Sequence, residues 1–512
     1  MRTGSRRRIG GGARAIAVSA AAFLRLARFE MGRFAGERST WMVLSLLGAA
    51  MAWGAANGQR HVNSQQAAVA RIHTREMEAI ARQKTDVRRY SQPSTIALPY
   101  WQDPTDVAGY MRYGLTAFAV KPPSPLGALA IGQSNLVPFY LRARLDFISQ
   151  PEAAFDFENP RALAVGSFDL AFVLVYLLPL ALVVLSASRL SAERDSGALR
   201  LIAAQPSGAR QVVCASFGAV SVISVPAVLA GTWLALAFAG VPMFQARLLV
   251  PMTLVALAIS AYALFWIGLA ALIAPRTGAT ASIALLVTAW IVSAFLISAI
   301  GALGLDVLHP APSRLQYLDA LRRESDWTDK QRNALITSYL ADRPAYTAGV
   351  NRIADLPYAT KQIAVQTELE RRLHDETSRF DRARADAGDT ARWIHLLSPS
   401  LVLDVVLQTA AGADTSRQEA FLLRAREYTE QLRGFFWPRA LKEAAQPTVR
   451  PCVGCPAKMA FLAHDDIPKF VEDDPVSGVA GRLAPIVAYL WVVAVATIFL
   501  AWRPREFQWR SF

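Results

Sequence analysis

The sequence predicts an α-helical integral membrane protein with six transmembrane helices and two large extracytoplasmic insertions, the second mainly helical. Three observations predict it: long windows without any charge, arginine-rich flanks beside them, and two long polar segments between them. A hydrophobic content of 53% would also suit a large soluble core, so the distribution has to decide. Charged residues make up 18% of the 512 positions, yet they are missing from stretches long enough to cross a hydrocarbon layer, which takes about 20 apolar residues as helix.

The charge-free windows are 39–59, 170–188, 211–245, 248–275, 277–305 and 483–502. Inside hydrocarbon the backbone must satisfy its own hydrogen bonds, so each window is read as a helix. Pro179, Pro226 and Pro251 fall within windows and are tolerated where neighbouring side chains take up the freed carbonyls.

Arginine near span ends sets orientation. Residues 1–38 carry nine Arg against Glu30 and Glu37, which places the N-terminus in the cytoplasm. Six spans return Arg503, Arg505 and Arg510 to the same side, and the connections at 189–210 and Arg276 agree. The +14 formal charge is thereby topological, and a nucleic-acid partner is not expected. The divisions that follow are a basic cytoplasmic segment 1–38 with an interfacial helix, a first span 39–59, an extracytoplasmic domain 60–167 and a second span 168–188. A cytoplasmic connection 189–210, spans three to five in 211–305, an extracytoplasmic domain 306–482, a sixth span 483–502 and a tail 503–512 complete the chain. The competing reading of the N-terminus, a cleaved signal peptide, is disfavoured because Arg25 and Arg28 follow the apolar run at once.

The first insertion holds turn-forming clusters and reads as mixed and loop-rich. In the second, Val365, Leu369, Leu373 and Phe380 recur at helical spacing, as do Phe421, Ala425, Tyr428, Leu432 and Phe435, predicting a helical hairpin. Thr415 and Gln418 have capping-box spacing ahead of the latter run.

Catalytic signatures are missing. The sequence has no phosphate-cradling Gly-Lys-Ser/Thr, no His-Glu-x-x-His and no Gly-x-Ser-x-Gly, so neither an ATPase domain nor an enzyme is expected. The windows carry no ionisable group of the kind that couples ion flow to transport, and Asp169 at the edge of the second is read as interfacial. Cys214 lies in an apolar window as a packing residue. Cys452 and Cys455 form a Cys-x-x-Cys pair in the second insertion, a candidate disulfide in an oxidising compartment; Met459, His464, Asp465 and Asp466 beside it leave a soft-metal site as the less favoured alternative, and no metal is assigned.

The connection 189–210 alternates Glu193 and Asp195 with Arg194 and Arg200 and adds Leu199, Leu201 and Ile202, a surface suited to a soluble partner. Its pattern of Glu193, Gly197-Ala198-Leu199 and Pro206 resembles the cytoplasmic segment of ABC transporter permeases of the type-2 (ABC-2-like) exporter class; Ala198 stands where that family often has Thr. Further stretches resemble the subfamily with a large extracytoplasmic domain of unknown function: Gly132 to Ser134, Glu158 to Pro160, Gly166 to Asp169, Leu177 to Leu180, Leu397 to Ser400, Ala411 with Gly412, and Arg417 with Phe421.

The resemblance implies a permease subunit of an ATP-driven exporter in a bacterial inner membrane, with both termini cytoplasmic. Its implied partners are separate ABC ATPase subunits, a second permease copy or a paralogue, and membrane lipid. No cofactor is implied in this chain, since ATP would be bound by the ATPase. Glu193, Gly197, Leu199 and Pro206 would carry coupling to that ATPase. A membrane anchor that transmits ATP-driven force to an extracytoplasmic partner is the alternative. Neither reading names a substrate.

Overall fold

The computed structural model describes residues 9–89, 98–145, 167–187, 189, 197, 208–310, 314–344, 352–356, 358–445 and 465–502. Among the described residues six helices are long and apolar enough to cross a membrane. An N-terminal helix α1 (Ile9–Gly36) precedes the first of them, α2 (Arg38–Arg89). The others are α3 (Leu170–Ala187), α4 (Gly208–Phe238), α5 (Ala246–Ile273), α6 (Ala279–Leu308) and α12 (Val479–Trp502). Between α6 and α12 lie α7 (Arg314–Lys330), α8 (Arg332–Ala341), α9 (Tyr358–His395), α10 (Pro399–Ala411) and α11 (Thr415–Ala445). The end of the bundle that carries α1 is called proximal below, and the opposite end distal.

α2 departs from the loop-rich expectation for the first insertion. It runs 52 residues, about 78 Å, so more than half of it projects distally beyond a bilayer core. Residues 59–89 contain neither Gly nor Pro and are rich in Ala, Gln, Glu and Arg, so nothing stops the helix at the apolar boundary. The projecting part becomes a wall for the rest of the insertion. Val62, Ile72 and Val87 are buried along it, and Glu76 accepts the Phe118 N–H at 2.7 Å, holding a two-stranded antiparallel sheet, β1 (Phe118–Val120) and β2 (Tyr140–Arg142).

α5 is the axis of the bundle, with Val255, Ile259, Tyr262 and Trp266 buried among the other spans. A second core forms distally where Tyr110, Met111 and Leu115 pack against Phe421, Leu432 and Phe436 of α11. The α11 stripe is therefore a packing face, while on α9 Val365 packs with Ile336 and Leu340 of α8 and Leu373 is buried; Arg433–Glu370 at 2.6 Å and Arg426–Asp381 at 2.8 Å join α9 to α11. Gln418 is turned away from Thr415, toward the Lys121 ammonium and the Pro138 carbonyl, so it closes no capping box.

The second insertion does not stay wholly distal. α9 descends along α6, with His309 Nε2 and Thr390 Oγ1 2.7 Å apart, and Ile394 lies over Gly301, where an added Cβ would come within 2.5 Å of its Cγ2. The chain reverses at 396–398, and α10 climbs back with Val402, Leu403, Val406 and Leu407 in the same core as α5 and α12. At 13 residues α10 is too short to span and it carries Asp404, so the search for charge-free windows passes it over.

Candidate functional site

The tip of the α9–α10 hairpin ends in a chain of hydroxyls. Ser398 caps α10 and donates to the Ser293 carbonyl at 2.6 Å; Ser293 Oγ lies 2.8 Å from Ser400 Oγ, which lies 2.9 Å from the Tyr262 hydroxyl. Tyr262 in turn donates to the Val175 carbonyl at 2.8 Å, and Tyr489 of α12 donates to the Leu396 carbonyl at 2.7 Å. Each hydroxyl has one proton, so a consistent polarity runs from Ser398 to Ser293 O, from Ser293 to Ser400, from Ser400 to Tyr262 and from Tyr262 to Val175 O. The chain joins the hairpin to α6, α5 and α3 at once.

Its depth follows from helix rise. Ser293 is about 21 Å along α6 and Tyr262 about 24 Å along α5, which puts the tip near the middle of both helices. Residue order explains why a polar contact is wanted there. Pro179 has no N–H, so Val175, four residues earlier, lacks its α-helical donor; α3 bulges through a π turn at Val173–Leu177, and the Tyr262 hydroxyl supplies a bond instead.

One turn above the tip, Asp404 accepts from Gln408 Nε2 at 2.7 Å and lies close enough to Asp169 to feel its charge. Asp169 is not merely interfacial. It caps α3, accepting the Phe172 N–H at 2.8 Å, and binds the Ile131 N–H at 2.8 Å, pinning the first insertion to the start of that span. The distal base of the hairpin is closed by Gly412 in left-handed geometry, φ +66, with Arg417 donating to the Gly412 carbonyl at 3.1 Å and to the Pro122 carbonyl at 2.7 Å. An added Cβ on Gly132, φ +52, would press on Ala413 and Gln408. Gly132, Asp169, Ser398 to Ser400, Gly412 and Arg417 are thus drawn from distant parts of the sequence to one hairpin.

A family model described as ABC-2 family transporter protein matches residues 24–374. The chain belongs to that family. It is an ABC-2 permease, the membrane component of an ABC system and a subunit without an ATPase domain of its own. A second model, Domain of unknown function (DUF3526), matches residues 314–446 of the permease and so takes in α7 to α11 almost end to end, hairpin included. No curated protein and no solved structure matches the chain.

Of the permease residues expected to face an ATPase, Glu193, Leu199 and Pro206 lie outside the described residues, as do Cys452 and Cys455. Gly197 has φ +74, and a Cβ there would meet nothing within 4 Å. Cys214 is half-buried in α4. The start of the connection is firmly seated. Arg189, buried, pairs with Glu37 at 3.2 Å and lies 4.2 Å over the Phe34 ring, while Arg33 donates to the Arg189 carbonyl at 3.4 Å. Glu30 of α1 accepts from Ser216 of α4 at 3.0 Å, so α1 braces the proximal ends of α3 and α4.

Ser398 and Ser400 fall in a stretch already noted for its resemblance to the subfamily, whereas Tyr262, Ser293 and Asp404 escape a reading of the sequence alone. Ser-Pro-Ser at 398–400 also has the form of a capped helix start after a long amphipathic run.

Proposed function

We propose that the permease is the transmembrane subunit of an ATP-driven exporter, with separate ATPase subunits acting on the 189–210 connection and the α9–α10 hairpin serving as the element that opens a path through the bundle. The observation that carries this reading is the position of α3. Its proximal end runs into Arg189 and the connection, and its Val175 carbonyl is joined through Tyr262 and Ser400 to the hairpin tip. A tilt of α3 driven from the connection would strain that bond and bias the hairpin between two packings, which is what a coupled gate requires. Glu193, Gly197, Leu199 and Pro206 supply the ATPase contact, ATP stays on the partner, and a second permease copy or a paralogue completes the complex. The membrane is the bacterial inner membrane, with both termini cytoplasmic. The apolar spans favour a hydrophobic or amphipathic substrate.

A cross-link tests the gate. In a background lacking Cys214, Cys452 and Cys455, the double substitution Ser293→Cys and Ser398→Cys should form a disulfide that suppresses ATP-driven transport in reconstituted vesicles, with recovery on reduction. Transport that continues at the unlinked rate with the bond closed would remove the hairpin from the cycle.

The force-transmitting anchor remains a second reading because α2 projects so far distally. ATP hydrolysis stimulated by a distal protein, without vectorial movement of any solute, would favour it.

A further inference from the structure

Distal to the hydroxyl chain, a narrow cleft opens between α2, the 121–134 loop and the turn from α10 to α11. His61, Gln65, Lys121, Ser124, Ser134 and Arg417 line it. His61 is about 35 Å along α2 from its proximal end. A bilayer has a core of about 30 Å and a total thickness of about 40–45 Å, so the cleft falls at the level of the distal headgroups.

Two cations line this cleft and both are nearly buried, Lys121 at 7% and Arg417 at 8% exposure. Their hydrogen bonds go to neutral acceptors: Lys121 to the Gln418 side-chain carbonyl, and Arg417 to the carbonyls of Gly412 and Pro122. Neighbouring carboxylates are largely committed elsewhere. Asp414 pairs with Arg482 at 2.9 Å, Asp474 with Arg247 at 3.4 Å, and Asp473 with Arg424. Glu472, half-buried, and Asp414 are near enough to act on both Lys121 and Arg417 through their charge. Among the described residues neither cation forms a direct ion pair or a hydrogen bond to a carboxylate, in a poorly hydrated place where an incompletely matched charge is costly. Lys121 has three N–H donors and Arg417 five, more than those bonds use.

We propose that this cleft binds the phosphate group of an anionic ligand, with Lys121 and Arg417 as its counter-charges and Ser134 at its margin. A phosphate brings negative charge into direct contact and accepts from both side chains, and Arg with Lys is a matched set for it. Two sources present that chemistry at this level: the headgroup of an anionic phospholipid, reached sideways from the bilayer, and a phosphate or phosphoester from the distal solution. The site is independent of the gating role given to the hairpin.

The test uses the full chain in non-ionic detergent, with binding followed by tryptophan fluorescence. The probes are short-chain phosphatidylglycerol, short-chain diacylglycerol and inorganic phosphate. Saturable binding of phosphatidylglycerol but not of diacylglycerol is expected, with the dissociation constant raised at least tenfold by Lys121→Gln, which removes the charge, and by Ser134→Phe, which fills the cleft and leaves both cations in place. Inorganic phosphate competing at similar concentration assigns the site to a soluble anion; failure to compete assigns it to the lipid. If Lys121→Gln does not fold, Ser134→Phe still decides. Equal affinity for phosphatidylglycerol and diacylglycerol, absence of any saturable binding, or unchanged binding in a folded Ser134→Phe protein would overturn the proposal.

Discussion

The Tyr262 hydroxyl donates to the Val175 carbonyl at 2.8 Å, at the position that Pro179 deprives of its helical donor. Both ends of that bond are buried, and Ser400 depends on the same hydroxyl. Tyr262→Phe should therefore destabilise the permease by about 1–2 kcal/mol, since a buried carbonyl and a serine lose a partner together. In a double-mutant cycle with Ser400→Ala the two losses should fall short of additivity, and thermal unfolding in detergent measures this. Additive losses would mean that the hydroxyls do not act as one chain.

Two glycines mark close approaches with different tolerance. A Cβ on Gly54 would come within 2.7 Å of the Asp169 carbonyl carbon and oxygen, whereas one on Gly301 meets only the Ile394 side chain. Gly301→Ala should be rescued by Ile394→Ala, which removes the obstructing methyl group. Gly54→Ala should admit no rescue by trimming a neighbouring side chain, because its obstacle is backbone. Folded yield and melting temperature of the three variants report the difference.

At Gly197 the reason for glycine is conformational, because φ is +74 and the space is open. Gly197→Asn, which tolerates left-handed geometry, should keep ATPase stimulation, while Gly197→Val should lose it, the strain being on the order of 1–2 kcal/mol or more. Glu193→Ala should weaken co-purification of the ATPase at matched expression. Arg189→Met, which unseats the connection from Glu37 and Phe34, should lower stimulation without preventing membrane insertion. Full stimulation in the Gly197→Val and Glu193→Ala proteins alike would free this segment from any coupling role.

Burial lowers the Lys121 ammonium to about 8, with Arg417 adding to the effect. Between pH 8 and the ordinary lysine value the unfolded chain binds the extra proton, so stability rises with pH across that window, by at most about 3 kcal/mol. Burial pushes the Tyr110 phenol up to about 12 and Tyr428 up as well, so above pH 10 the unfolded chain loses protons first and stability falls again. Unfolding followed from pH 7 to 11 should show a maximum near pH 10, and Lys121→Met should flatten the rising limb.

Labelling checks the topology. Cysteines placed at Lys84, near the end of α2, and at Lys361, in the first turn of α9, should both react with an impermeant reagent from the extracytoplasmic side. On the same samples, mass spectrometry without reductant should find Cys452 joined to Cys455. Labelling of either engineered site from the cytoplasm would discard the six-span orientation.

Much of the architecture is local chemistry and is written along the chain. A window without charges has one stable form in hydrocarbon, which is why six spans can be counted from the sequence, and a helical stripe such as Phe421, Ala425, Tyr428 and Leu432 declares a buried face wherever that face comes to lie. What a stripe buries itself against is not local. The stretch that forms α10 is a short run of the second insertion interrupted by Asp404, and only packing against α5 and α12 takes Ser398, Ser400 and Asp404 to the middle of the bundle. The partner of Val175 is likewise undetermined by sequence, although Pro179 shows that one is needed. The tertiary fold supplies it from Tyr262, 87 residues away, because an unsatisfied carbonyl in hydrocarbon costs more than the ordering of one tyrosine.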